Sequence, residues 1–192
     1  MPNLYILSGC NGAGKTTASY TILPELLGCS NFVNSDEFAK MLSPFDPSMA
    51  SVGASRYMVM KIQYLLERNM DCVIETTLAT RTLLNIIEDA KQRGYKITLL
   101  YFWLSSPELA ISRVHARVEA GGHNIPDAVV RRRYVMGLQY FFDTYAPASD
   151  HWILADNTQS PFVVVAEGDK NETIIKDEDK YQRIRHICGR DQ

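Results

Sequence analysis

Long apolar runs, a basic excess and paired cysteines are all missing from this chain. Its longest uninterrupted apolar stretches are a few residues, far short of the ~20 that span a bilayer. No basic segment followed by an apolar one opens the sequence, so a secretory leader is not expected there. Acidic and basic residues nearly balance, at 22 against 20, so the chain lacks the positive surplus of a dedicated nucleic-acid binder. The four cysteines, Cys10, Cys29, Cys72 and Cys188, form no C-x-x-C pair. Scattered free thiols suit a reducing compartment, and a cytoplasmic protein is expected. The guanine-nucleotide signatures D-x-x-G and [NT]-K-x-D are absent, as is the L-S-G-G-Q of transporter ATPases.

What is present suits a globular protein. The 192 residues, 46% apolar and 22% charged, are enough for one domain with a proper core, so a single domain over 1–192 is expected. Short apolar runs, "LYIL", "NFV", "CVIET", "KITLLYFWL", "WILA" and "FVVVAEG", read as strands. Helical patterns stand between the early ones. One is "RTLLNIIEDAKQRG", stopped by Gly94; another is "SPELAISRVHARVEA", with Ser106 as N-cap and Pro107 at its first position. The helix after the first strand should close near Pro24 or Gly28, and the one after "FVN" should start at Ser35 or Asp36. Such alternation predicts an α/β fold, a mainly parallel sheet flanked by helices, with a charged tail forming a peripheral strand and helix.

Residues 4–20, "LYILSGCNGAGKTTASY", contain G-x-x-x-x-G-K-[ST] between a strand and a helix, as a phosphate-binding loop requires. The pattern arises by chance in roughly one chain per hundred of this length. Gly9, Gly12 and Gly14 let the backbone wrap phosphate oxygens, and Asn11, Ala13 and Thr17 complete the nucleotide-contacting stretch. Lys15 would reach the outer phosphates, and Thr16 would ligate magnesium. Without GTPase or transporter signatures, a kinase-like protein using ATP and Mg2+ remains.

A kinase needs a carboxylate near the transferred phosphate. Asp36, after "FVN", and Glu75, ending "CVI", stand at strand ends, although Asp36 would serve equally as a helix cap. Basic residues gather later. Arg113 and Arg117 share a helix face, "GGHNIPD" interrupts the helix with Gly121 and Gly122 as a hinge, and Arg131, Arg132 and Arg133 follow Pro126. This is the layout of a lid over residues 118–133. Arg113 is placed on the nucleotide, with Arg117 and Arg132 on the transferring phosphoryl group. With Val130, Tyr134 and Leu138 as the buried stripe, Arg132 points most directly away from the core. His123 lies in the lid; His115, His151 and His186 show no metal-ligand spacing and are expected to be structural. Met58, Met60 and the aromatic group Tyr140, Phe141, Phe142 and Tyr145 are expected in the core or a groove wall.

In order and spacing, "GCNGAGKTT", "VNSDEFA", "VIETTLA" and "GGHNIPDAVVRRRY" resemble the zeta toxin family of phosphate-loop kinases, over about residues 3–160. The resemblance implies a nucleotide-kinase-like fold and, from studied members, phosphorylation of UDP-N-acetylglucosamine by ATP at a sugar hydroxyl. It equates Asp36 with the acceptor-activating aspartate, Glu75 with the acid after the third strand, and Arg117 with one or more of Arg131 to Arg133 as lid arginines. "ADNT", residues 155–158, resembles the segment near adenine. The short stretch before the loop argues against an antitoxin partner, which longer members have. Other acceptors stay open (a sugar, nucleoside or antibiotic), as do a polynucleotide kinase or RNA-associated ATPase and a non-catalytic ATP-binding module.

Overall fold

The computed structural model describes residues 1–22, 28–29, 31–43, 47–122 and 124–189. Strand β1 (Asn3–Ser8) leads through the glycine loop into helix α1 (Lys15–Ile22). Then come β2 (Phe32–Val33), α2 (Ser35–Leu42), a 3-10 turn (Pro47–Ala50) and the long α3 (Ser51–Glu67). Strand β3 (Cys72–Thr76), α4 (Leu83–Gln92), β4 (Lys96–Trp103), α5 (Pro107–Glu119) and α6 (Asp127–Tyr140) continue the alternation. A π-helical turn (Phe141–Tyr145) runs into the short α7 (Ala146–Ala148), followed by β5 (His151–Asp156), β6 (Val163–Gly168), β7 (Thr173–Ile175) and α8 (Glu178–Ile187).

The strands form one sheet in the order β2-β3-β1-β4-β5-β6-β7. The first five are parallel, and β6 and β7 add antiparallel at the edge. Central strands of a sheet covered on both faces must be apolar on both sides. Accordingly Leu4, Ile6, Val73, Ile74, Ile97 and Leu99 are all buried. The chain leaves β1 in one direction toward β2 and reaches β4 in the other, so β1 borders the switch point where parallel sheets of this kind open a ligand crevice. Register places Leu7 beside Glu75 and Ser8 beside both Thr76 and Tyr101, which sets the loop after β1 level with the end of β3.

The expected α/β architecture is present, including the peripheral strand and helix, here β7 and α8. Val130, Tyr134 and Leu138 are buried as the stripe predicted, and all four cysteines are free and buried. Two details differ from expectation. Helix α2 starts at Ser35, as expected, but its N-cap is Asn34, whose side chain accepts from the Asp36 and Glu37 amides, and not Asp36. Met60 is 66% exposed, because it lies on the outer face of α3. Pro24 and His123 lie outside the described residues. No helix among the described residues is long and apolar enough to cross a membrane.

Candidate active site

The loop after β1 is shaped by what its neighbours leave no room for. At Gly9, φ is +138°, and a Cβ would come within 2.4 Å of the Phe102 carbonyl oxygen. At Gly12, φ is +80°, and a Cβ would meet the Ala110 carbonyl oxygen at 2.5 Å. Both contacts are with backbone, so no larger residue is accommodated there. The Ala13 amide closes the turn on the Cys10 carbonyl at 3.2 Å. Burial pushes the Cys10 thiol up to about 11, leaving an inert side chain inside the loop.

Lys15 opens α1 and is 7% exposed. Its Nζ donates to the Cys10 carbonyl at 3.0 Å and lies 3.9 Å from Glu75 Oε1. The Thr16 hydroxyl donates to the same carboxylate, at 2.9 Å from Oε2 and 3.1 Å from Oε1. Burial pushes the Glu75 carboxyl above its ordinary range; Lys15 and the Thr16 hydrogen bond oppose that, and nearby Asp36 and Glu37 reinforce it. A hydroxyl and a carboxylate are hard oxygen donors of the type magnesium takes. The donor set and the glycine cradle therefore fit a nucleotide phosphate chain with its metal.

Asp36 is exposed in the first turn of α2, and because Asn34 caps that helix, the Asp36 carboxylate is not occupied as a cap. The cap explanation for Asp36 is thereby removed. The Asp36 charge reaches Arg133. This side chain is partly buried, its Nη1 donates to Asn11 Oδ1 at 2.9 Å, and Asp36 favours its charge against the cost of burial. Arg133 thus contacts the phosphate loop directly and lies within electrostatic reach of Asp36. Arg132 is exposed and makes no hydrogen bond or ion pair among the described residues. Arg131 pairs with Glu108 across α5 and α6. Sequence left the choice among the three open and favoured Arg132; the structure brings Arg133 to the loop.

The other arginines divide. Arg113 donates from Nη1 to the Asn157 carbonyl at 3.0 Å and from Nη2 to the Thr158 carbonyl at 2.7 Å, clamping the segment after β5. Arg117 is exposed near the end of α5, where the Gly122 amide returns to its carbonyl at 2.8 Å and turns the chain toward α6. Thr17 is exposed beside Thr16, and Asn11 and Ala13 are buried in the loop. His115 pairs with Asp127 at 2.9 Å, joining α5 to the start of α6.

Asn157 falls in the "ADNT" segment, which the family resemblance sets near adenine without giving the residue a role. Its Nδ2 donates to the Ala13 carbonyl at 2.7 Å, across 144 positions of sequence, and packs 2.5 Å from where a Cβ on Gly14 would stand. The loop is thus held from both sides, by Arg133 through Asn11 and by Asn157 through Ala13.

Replacing Lys15 by alanine removes the loop's buried cation and leaves Glu75 without its counter-charge. ATP affinity should fall about 10- to 100-fold, the cost of a charge-assisted hydrogen bond. Isothermal titration with magnesium-ATP measures this, and unchanged affinity would count against the loop as the phosphate site.

Comparison with known proteins agrees with this architecture. The zeta toxin family model matches residues 1–139. An uncharacterised protein of Haemophilus influenzae is 27% identical over 126 residues, 66% of this chain and 88% of its own. The AvrRxo1-ORF1:-ORF2 complex superposes with a TM-score of 0.78 at 21% identity, covering 96% of this chain. This chain spans only 63% of that one's length. A structure from the PezAT toxin–antitoxin system of Streptococcus pneumoniae gives a TM-score of 0.70 at 18% identity, covering 100% of this chain and 80% of that one. At such identities the structural likenesses speak for the fold. The family match spans well over half the sequence and includes the loop, Asp36, Glu75 and the arginines of α5 and α6, and on it the chain belongs to the zeta toxin family.

Proposed function

We propose that this protein is a kinase that transfers the γ-phosphoryl group of ATP to a hydroxyl of a small molecule. The observation that carries the proposal is the convergence, at the carboxyl ends of β1, β2 and β3, of a buried lysine, a Thr16–Glu75 pair and an aspartate not used as a helix cap, with Arg133 bonded to the loop within electrostatic reach of it. A passive nucleotide-binding module has no need of the last two. A related fold, AvrRxo1-ORF1:-ORF2, has been solved with ATP.

Lys15 and the loop amides would hold the phosphate chain, with the positive end of α1 adding attraction. Thr16 would hold Mg2+, with Glu75 in support. Magnesium, when bound, neutralises charge developing on the phosphate oxygens. Asp36 accepts the proton of the acceptor hydroxyl as its oxygen bonds to phosphorus and the bond to ADP breaks. Arg133, moving from Asn11 to the transferring group, would stabilise the charge spread over its equatorial oxygens. Arg113 contributes by holding the segment after β5 beside the nucleotide, and Arg117 would close from the lid, whereas Arg132, exposed and without a contact to the loop, adds little. Asn157 fixes the loop from the other side.

The acceptor proposed is UDP-N-acetylglucosamine or a related sugar nucleotide, on the strength of family membership. Both solved relatives named above are two-chain systems, and the proposal that this chain acts without an antitoxin is tested by purifying it active on its own. The acceptor experiment is ADP release with magnesium-ATP, with and without UDP-N-acetylglucosamine, using Asp36→Asn as blank. Stimulation that the variant loses is the expected result. If ATP binds but UDP-N-acetylglucosamine gives no stimulation, the acceptor assignment fails and other hydroxyl compounds replace it.

A further inference from the structure

The sheet ends in β7, and no strand among the described residues pairs with its outer side. Its three residues, Thr173, Ile174 and Ile175, are all exposed, the two isoleucines by 48% and 37%. An open edge carries unpaired amides and carbonyls, and soluble proteins ordinarily blunt it with charge, proline or a bulge. Here the centre of the edge is apolar, and the charges stand on either side, Glu172 before it and Lys176 after.

The ladder on the inner side fixes which groups face outward. The Asp169 amide donates to the Glu172 carbonyl at 3.0 Å and the Lys176 amide to the Val165 carbonyl at 2.8 Å, while Ile174 is the register partner of Glu167. Antiparallel partners alternate between bonded and non-bonded pairs. Glu172, Ile174 and Lys176 therefore bond inward to β6, and Thr173 and Ile175 turn their N–H and C=O groups outward. A second β7 laid antiparallel about Ile174 sets Thr173 opposite Ile175 twice, and each such pair exchanges two hydrogen bonds. Ile174 then meets its own counterpart, and Glu172 meets Lys176 on both sides of it, at the non-bonded positions where side chains are closest. The edge is thus complementary to itself in hydrogen bonding, apolar contact and charge. Glu172 makes no ion pair among the described residues. Lys176 reaches Glu167 on the same face at 2.8 Å, and in the pairing it would stand between two carboxylates. We propose that two copies of this chain associate through β7 into a two-fold dimer, with one sheet continuous across both. The interface is independent of the kinase reading and compatible with it, since β2, which leads to Asp36, is the opposite edge of the sheet. Two strands of this length bury less than the ~1,200 Å² of a standard interface, so association should be reversible and micromolar.

Sedimentation velocity of the full chain, across the micromolar range, should show a monomer–dimer equilibrium. Ile174→Lys brings like charges together at the two-fold axis, and Glu172→Lys does so at both flanks; each should weaken association at least about tenfold. Lys176→Glu should do the same alone. An equimolar mixture of Glu172→Lys and Lys176→Glu should associate again, because each supplies the charge that the other lacks. All three side chains are exposed, and circular dichroism establishes that the variants fold. A chain that stays monomeric throughout would overturn the proposal. A dimer indifferent to Ile174→Lys and Glu172→Lys would overturn it as well, by placing the interface elsewhere. Failure of the mixture to associate would overturn the antiparallel pairing about Ile174.

Discussion

Asp36→Asn should lower the rate of phosphoryl transfer about 10²–10⁴-fold, the contribution typical of a positioned general base, with ATP affinity unchanged. The substitution keeps size and shape and removes only the ability to take a proton. Asn34, not Asp36, caps α2, so the helix start survives the change. Lys15, Thr16 and the loop amides, which would bind ATP, are on other elements and are left intact. Steady-state turnover at saturating acceptor, with ATP affinity measured by calorimetry, separates the two quantities. Activity within a few-fold of wild type would remove Asp36 from the mechanism. A fall in ATP affinity matching the fall in rate would instead make Asp36 part of the donor site.

Arg133→Ala should be at least as costly, about 10³-fold or more, since an arginine that stabilises a transferring phosphoryl group is worth about 10³–10⁵. Arg132→Ala, one residue away, should stay within a few-fold of wild type, because that side chain is exposed and stands apart from the loop. Arg133 also holds Asn11, so the same variant could act by loosening the loop. Asn11→Ala separates the two: it breaks the 2.9 Å hydrogen bond and leaves the guanidinium. A much smaller loss for Asn11→Ala than for Arg133→Ala places the arginine's effect on the reaction. Equal losses would reduce Arg133 to a support for the loop. Arg133→Lys should recover only part of the activity, since an ammonium keeps the charge without the planar fork.

The choice between Arg132 and Arg133 shows where sequence reasoning stops. Adjacent helical residues point about 100° apart, and the buried stripe of Val130, Tyr134 and Leu138 identifies the outward direction correctly. A ligand crevice, however, is approached from the seam between a helix and its neighbour. Arg133 lies in that seam, partly buried, and only the docking of α6 against the loop reveals it. The cap of α2 gives the same lesson on a smaller scale. Asn34, Ser35 and Asp36 are all good capping residues in a row, and the choice depends on which of them has extended backbone, φ −133° and ψ 117° at Asn34.

The sequence by itself determined the strand–loop–helix that makes the phosphate site, the parallel α/β sheet, and the two carboxylates at strand ends. These follow from spacing within about twenty residues, where glycine tolerance, apolar periodicity and helix geometry act locally. Tertiary structure alone decided that Thr16 bonds Glu75 across 59 positions, that Asn157 reaches Ala13 across 144, and that Arg133 rather than its neighbours meets Asn11 across 122. Those contacts depend on which strands become neighbours and how the lid helix is rotated against them. Rotation and neighbourhood are set by the packing of the whole core, and no local pattern encodes them.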